Sequence, residues 1–185
     1  MTEADDAIAA GMAAIALSRS ADYASELRSD LEDAVAHFDR ALSLVPDQRD
    51  ALAHKGLCLA RLARYAEAAV VLQAALGVDA DAPELWLARG RCLAELGRLG
   101  EAVADFDETL RRSPDDQEAI YRRAEALDAL GRDQEALQAW DRVLSLPDNR
   151  TIDEYDQPFR VLTSDFRRSK ALAARAAVLA RKSQT

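Results

Sequence analysis

The chain is short of aromatic residues, glycine, proline, cysteine, histidine and long apolar runs, and each shortage narrows what it can be. Phe, Trp and Tyr make up 5% of its 185 residues, with 7 Gly and 5 Pro. Runs of Val, Ile, Thr and aromatics are nearly absent, so a sheet has little to build on. The two cysteines, Cys58 and Cys92, show no CxxC spacing, and His37 and His54 have no metal-spaced partner. Neither a zinc site, a disulfide framework nor a cofactor site is expected. His, Cys, Ser and paired carboxylates do not fall at spacings that would assemble a catalytic group, so no enzyme activity is expected. No apolar stretch approaches the roughly 20 residues of a membrane span. Glu3, Asp5 and Asp6 follow Met1 where a secretory signal would be basic, so the expected location is cytoplasmic.

What remains is rich in Ala and Leu: 49% of the chain is apolar and 31% charged. That composition favours helices, and an all-α fold is the expectation. The net charge of -9 disfavours nucleic acid as a partner, because phosphate backbones are bound by an excess of Lys and Arg. The charge is unevenly placed. Residues 160–185 carry seven basic groups and one acid, a net of +6, which leaves -15 on residues 1–159.

Self-comparison at an offset of 34 residues brings most of the chain into register. Ala34, Ala68, Ala102 and Ala136 align, as do Leu42, Leu76, Leu110 and Leu144, each preceded by a bulky residue at Phe38, Leu72, Phe106 or Trp140. Within each unit apolar residues recur at helical spacing, as in Leu52, Leu59 and Leu62, or Trp86, Leu93 and Leu96. Gly56, Gly90 and Ala124 sit where that first helix must approach a neighbour closely, and Ala63, Gly97 and Gly131 supply a turn. A second helix follows, opening on Asp33, Glu67, Glu101 or Glu135, acids that suit the positive end of a helix dipole. It closes near Pro46, Pro114 and Pro147, and the acids beyond can cap the next helix, as Asp81 to Glu84 and Asp115 with Glu118 illustrate.

This pattern resembles the tetratricopeptide repeat family, and the stretch from Leu85 to Asp116 carries nearly the whole signature. Ala80 in place of the terminal proline, Pro147 one position early, and Thr109 and Val143 at a usually alanine site depart from it. The resemblance implies an α-solenoid, a right-handed superhelix of helix-turn-helix repeats at 49–82, 83–116 and 117–150. Before them lies an elongated hairpin at 1–48. Tyr23, Leu27, Leu31, Val35, Phe38, Leu42 and Val45 line one face of a helix about seven turns long, paired with a helix over residues 4–18. After them, residues 151–163 read as a polar loop insertion within a longer irregular stretch, 148–163, and a capping helix starts at Ser164 and runs to the end. Residues from Ala171 align with those from Ala51, so this reads as a fifth first helix.

Function in such a family resides in the concave groove lined by first helices, so the implied partner is another protein or peptide. By the family frame the candidate contacts are Leu57, Arg61, Leu87, Arg91, Tyr121, Arg122 and Glu125, with Tyr121 the favoured anchor, because Tyr and Arg dominate binding hot spots. The clamp by which some members hold acidic chaperone tails is missing: its positions carry Leu57, His54, Glu84 and Ala88. Cys58 and Cys92 share one frame position that wants a small apolar group. Lys55, Arg89, Arg123 and Arg175 share another, facing Asp39, Asp107 and Asp141, so a ladder of register-fixing ion pairs is expected. In the last helix Phe166, Leu172, Ala173, Ala176, Leu179 and Ala180 form an apolar face that should cover the stack. Arg167, Arg168, Lys170, Arg175, Arg181 and Lys182 gather opposite. That basic helix leaves a self-assembling scaffold, a homo-oligomer or a regulatory subunit open as alternatives to an adaptor, while a membrane partner is disfavoured.

Overall fold

A computed structural model describes residues 2–18, 24–146 and 164–183. The 148–163 insertion, Tyr23 and Pro147 lie outside the described residues. Every regular element among those described is an α-helix, and the chain divides into two compact units, Met1–Leu96 and Gly97–Thr185. Among the described residues no helix is long and apolar enough to cross a membrane.

Unit 1 holds α1 (Glu3–Ser18), α2 (Ala24–Leu44), α3 (Arg49–Arg61), α4 (Tyr65–Val78) and α5 (Pro83–Glu95). The helix expected at about seven turns is α2, whose 21 residues make about six turns. Leu31, Val35, Phe38 and Ala41 are its buried stripe, while Val45 lies beyond its end and is exposed. Two glycines set the hairpin spacings. A Cβ on Gly56 of α3 would stand 2.7 Å from Leu72 of α4, and one on Gly11 of α1 would stand 2.7 Å from the Phe38 ring. Those bulky side chains therefore occupy the space a larger residue would need, and the paired helices approach closely.

The turn from α3 to α4 is a Schellman closure. Arg64 N–H donates to the Leu59 carbonyl at 2.9 Å, Ala63 N–H donates to Ala60 at 3.0 Å, and Ala63 takes φ 58°. A left-handed alanine carries a Cβ clash that glycine avoids. The helix starts are satisfied in different ways: Gln48 accepts from Ala51 N–H, whereas α5 places Pro83 at its first turn after Ala82. Trp86 ties that loop down by donating from its indole N–H to the Ala80 carbonyl at 2.8 Å.

Unit 2 holds α6 (Leu99–Arg112), α7 (Gln117–Ala129), α8 (Asp133–Ser145) and α9 (Ser164–Lys182). Asp116, rather than the neighbouring Asp115, caps α7 by accepting from Ala119 N–H at 2.8 Å. Arg132 N–H closes the α7–α8 turn on the Leu127 carbonyl, with Gly131 at φ 69°. Trp140, Tyr121, Phe106, Ile120 and Leu127 fill this core. Thr109, at a position usually occupied by alanine, is fully buried and satisfies its hydroxyl by donating to the Asp105 carbonyl at 3.0 Å.

The ladder is present. Lys55 meets Asp39, Arg123 meets Asp107 and Arg175 meets Asp141. At the frame position where Asp39 becomes Gln73, Arg89 hydrogen-bonds the Gln73 side chain instead. A second repeated pair, Arg64–Glu67, Arg98–Glu101 and Arg132–Glu135, opens three second helices with two hydrogen bonds each. In each, the side chain before the first turn neutralises the acid at the dipole's positive end.

Candidate functional site

The first helices place the candidate residues, and the two units treat them differently. In unit 1 the side chains His54, Leu57 and Arg61 share one face of α3, while Leu87 and Arg91 share one face of α5, which packs beside α3. Leu57 is 39% exposed, Leu87 and Arg61 are half-buried, and Arg91 is buried. His54 stacks on Phe38 with ring centroids 5.8 Å apart, and burial lowers its pKa, so it is a neutral packed ring near pH 7. Tyr65, at the start of α4, is half-buried. Burial pushes its phenol up, Glu95 and Cys92 add to that, and Arg91 opposes it.

Cys58 and Cys92 are buried free thiols pushed up to about 11 by burial. They pack as small apolar groups, and the raised pKa keeps them unreactive near neutral pH.

In unit 2 the favoured anchor is not presented to solvent. Tyr121 is 1% exposed, set edge-on to Trp140 at 5.7 Å, with Lys170 of α9 over its ring. It is a core side chain, because the helix after the insertion lies against this part of α7. Arg122 sits between Glu118 and Glu125, 3.4 Å from each, and Glu125 also pairs with Lys170. Arg181 bridges Asp128 and Asp133 at 2.6 and 2.9 Å. Bases of α9 thus occupy the acids of α7 and the start of α8.

The orientation of α9 is the reverse of the one its amphipathic pattern suggests. Ala171 and Val178 are the buried side, with half-buried Ala174 and Arg175 beside them, whereas Leu172 and Leu179 are 54% and 43% exposed. The side chain of Phe166 lies outside the described residues. Turned this way, Arg175, Lys170 and Arg181 each meet an acid, Arg175 at its ladder position.

Comparison with known proteins agrees with the architecture. The sequence profile described as tetratricopeptide repeat matches residues 20–83, 62–116 and 96–149. No curated protein matches the chain. Among solved structures, YrrB, described as a TPR protein with an unusual peptide-binding site, is 21% identical over 84% of this chain and 71% of its own, with a TM-score of 0.68. A MamA structure (AMB-1) is 21% identical over 76% of each chain at 0.66. TTC0263, a thermophilic TPR protein of Thermus thermophilus, is 30% identical over 63% of this chain and 60% of its own at 0.53.

Proposed function

The chain belongs to the tetratricopeptide repeat family, and from that premise we propose that it is an adaptor that holds a segment of another protein against the first-helix face of unit 1. The observation that carries this reading is Leu57, 39% exposed on α3, with half-buried Leu87 on α5 and Arg61 beside it. Two apolar side chains on neighbouring first helices suit an extended or helical segment that buries one or two apolar residues. Arg91 supports the floor of that face. Tyr121, Arg122 and Glu125 belong to the internal network of unit 2 and are not part of the proposed contact. YrrB, similar in fold, is described as having a peptide-binding site, which fits a binding role for this fold without assigning its location here. The two buried free thiols fit a reducing compartment such as the cytoplasm.

The test is selection of peptides from a displayed library on the whole chain, followed by affinity measurement against a Leu57→Glu/Leu87→Glu variant. Anchors of this kind are each worth about 1–3 kcal/mol, so binding should fall by about tenfold or more. Peptides that bind both forms equally would remove this face from consideration.

A further inference from the structure

The outward face of α9 is a surface that α3 and α7 keep covered. In the repeat frame Leu172, Ala176 and Leu179 correspond to Leu52, Gly56 and Leu59 of α3, which are buried, with Leu72 of α4 lying over Gly56. In α7 the same positions are Ile120, Ala124 and Leu127, again buried. Leu172 and Leu179, by contrast, stand in solvent. Among the described residues, α9 is therefore a first helix with no second helix seated on it.

A second exposed apolar face lies on α1. Ala4, Ala7 and Gly11 are its buried side, and Ala9, Met12, Ala13 and Ala16 lie opposite, with Met12 41% exposed. Terminal repeats ordinarily turn a polar face outward to stay soluble. Here α1 and α9 each turn an apolar one.

The two faces match in shape and in charge. On α9 the small Ala176 lies between Leu172 and Leu179, and on α1 the bulky Met12 lies between Ala9 and Ala16, with the same seven-residue span. Laid antiparallel with Met12 on Ala176, the helices set Leu179 on Ala9 and Leu172 on Ala16. Antiparallel dipoles favour that arrangement. α1 carries Glu3, Asp5 and Asp6 and no Lys or Arg, whereas α9 carries six bases against Asp165, of which Lys170, Arg175 and Arg181 already meet acids of α7 and α8. Glu3 is held by Arg40 at 2.6 Å, while Asp5 and Asp6 are exposed. Like charges oppose pairing α9 with α9 or α1 with α1, and opposite charges favour the mixed contact.

We propose that copies of this chain associate head to tail, the outward face of α1 in one copy seating on the outward face of α9 in the next. Such a contact is heterologous, so it propagates until a ring closes or a filament forms.

Sedimentation of the full chain at low ionic strength and in about 0.5 M salt tests it. Species above 20.2 kDa should form at low salt and diminish as salt rises. Met12→Glu alone, and Leu172→Glu/Leu179→Glu alone, should each give monomers. Mixing those two variants should give a one-to-one heterodimer and nothing larger, because one retains a working α9 face and the other a working α1 face. All three side chains are exposed, so circular dichroism should show unchanged helix content in each variant. A wild-type monomer at low salt, assemblies that survive either variant, or folded variants that fail to pair while the wild type associates would overturn the proposal. Neither variant touches Leu57 or Leu87, so segment binding in unit 1 is scored separately.

Discussion

Units 1 and 2 use the same helix-turn-helix frame but leave different things on their first-helix faces. The frame position of Leu57 in unit 1 is that of Glu125 in unit 2, and the position of Leu87 is that of Tyr121. Leu57 stands exposed and Leu87 half-buried, whereas Glu125 is held by Lys170 and Arg122, and Tyr121 is buried against Trp140. The frame sets which way a side chain points, and the helix packed next to it decides whether the side chain is available. In unit 2 that helix is α9, and its bases pair with acids of α7.

The sharpest way to separate the units is to empty one core. Trp140→Ala removes a fully buried indole and the edge contact to Tyr121, and should cost about 3–5 kcal/mol. Amide exchange should then accelerate in α7 and α8 while α3 and α4 keep more of their protection. Equal loss in both units would show that they unfold together and that the contrast between them is not energetic.

A smaller effect comes from pH, because both cysteines lie in unit 1. A thiol pKa raised from 9.0 to about 11 means that the unfolded chain releases its protons first as pH rises. Stability from this source is complete below about pH 9 and is lost between about pH 9 and 11, amounting to roughly 3 kcal/mol for the pair at pH 10. Urea unfolding at pH 8 and pH 10 should show that loss, and a Cys58→Ala/Cys92→Ala variant should lack it. The smallest effect is at the turns. Ala63→Gly relieves a left-handed alanine in unit 1 and should raise stability by less than about 1 kcal/mol, whereas Gly131→Ala in unit 2 should lower it by about 1 kcal/mol. Thermal melts of the two single variants should therefore move in opposite directions.

The hairpins are readable in the sequence because their signals are local and repeated. Ala63, Gly97 and Gly131 mark turns at a fixed interval, and all three take positive φ. The acid-base ladder follows from the same arithmetic, whereas α9 starts at Ser164, upstream of where the frame alone would begin a first helix. Gly11 escapes it because α1 lies outside the 34-residue frame; its signal is a glycine in the middle of an Ala-rich helix. The orientation of α9 and the burial of Tyr121 are not readable. Amphipathicity tells which side of a helix can be buried, not which neighbour arrives or whether ion pairs outrank leucines in choosing the side. The apolar pattern overstates the length of α2 because its stripe continues past Leu44 into exposed Val45.

The ladder also bears on how the chain could change length. Each rung joins a base on one first helix to an acid or amide on the preceding second helix, and Arg89 uses Gln73 where its counterparts use aspartate. Excising residues 40–73 would bring Arg89 opposite Asp39 and leave no rung mismatched. Excising a stretch that is not a whole repeat would set bases against the wrong turn of the neighbouring helix. Losing or gaining one whole repeat thus keeps the rungs in phase, whereas a partial repeat does not.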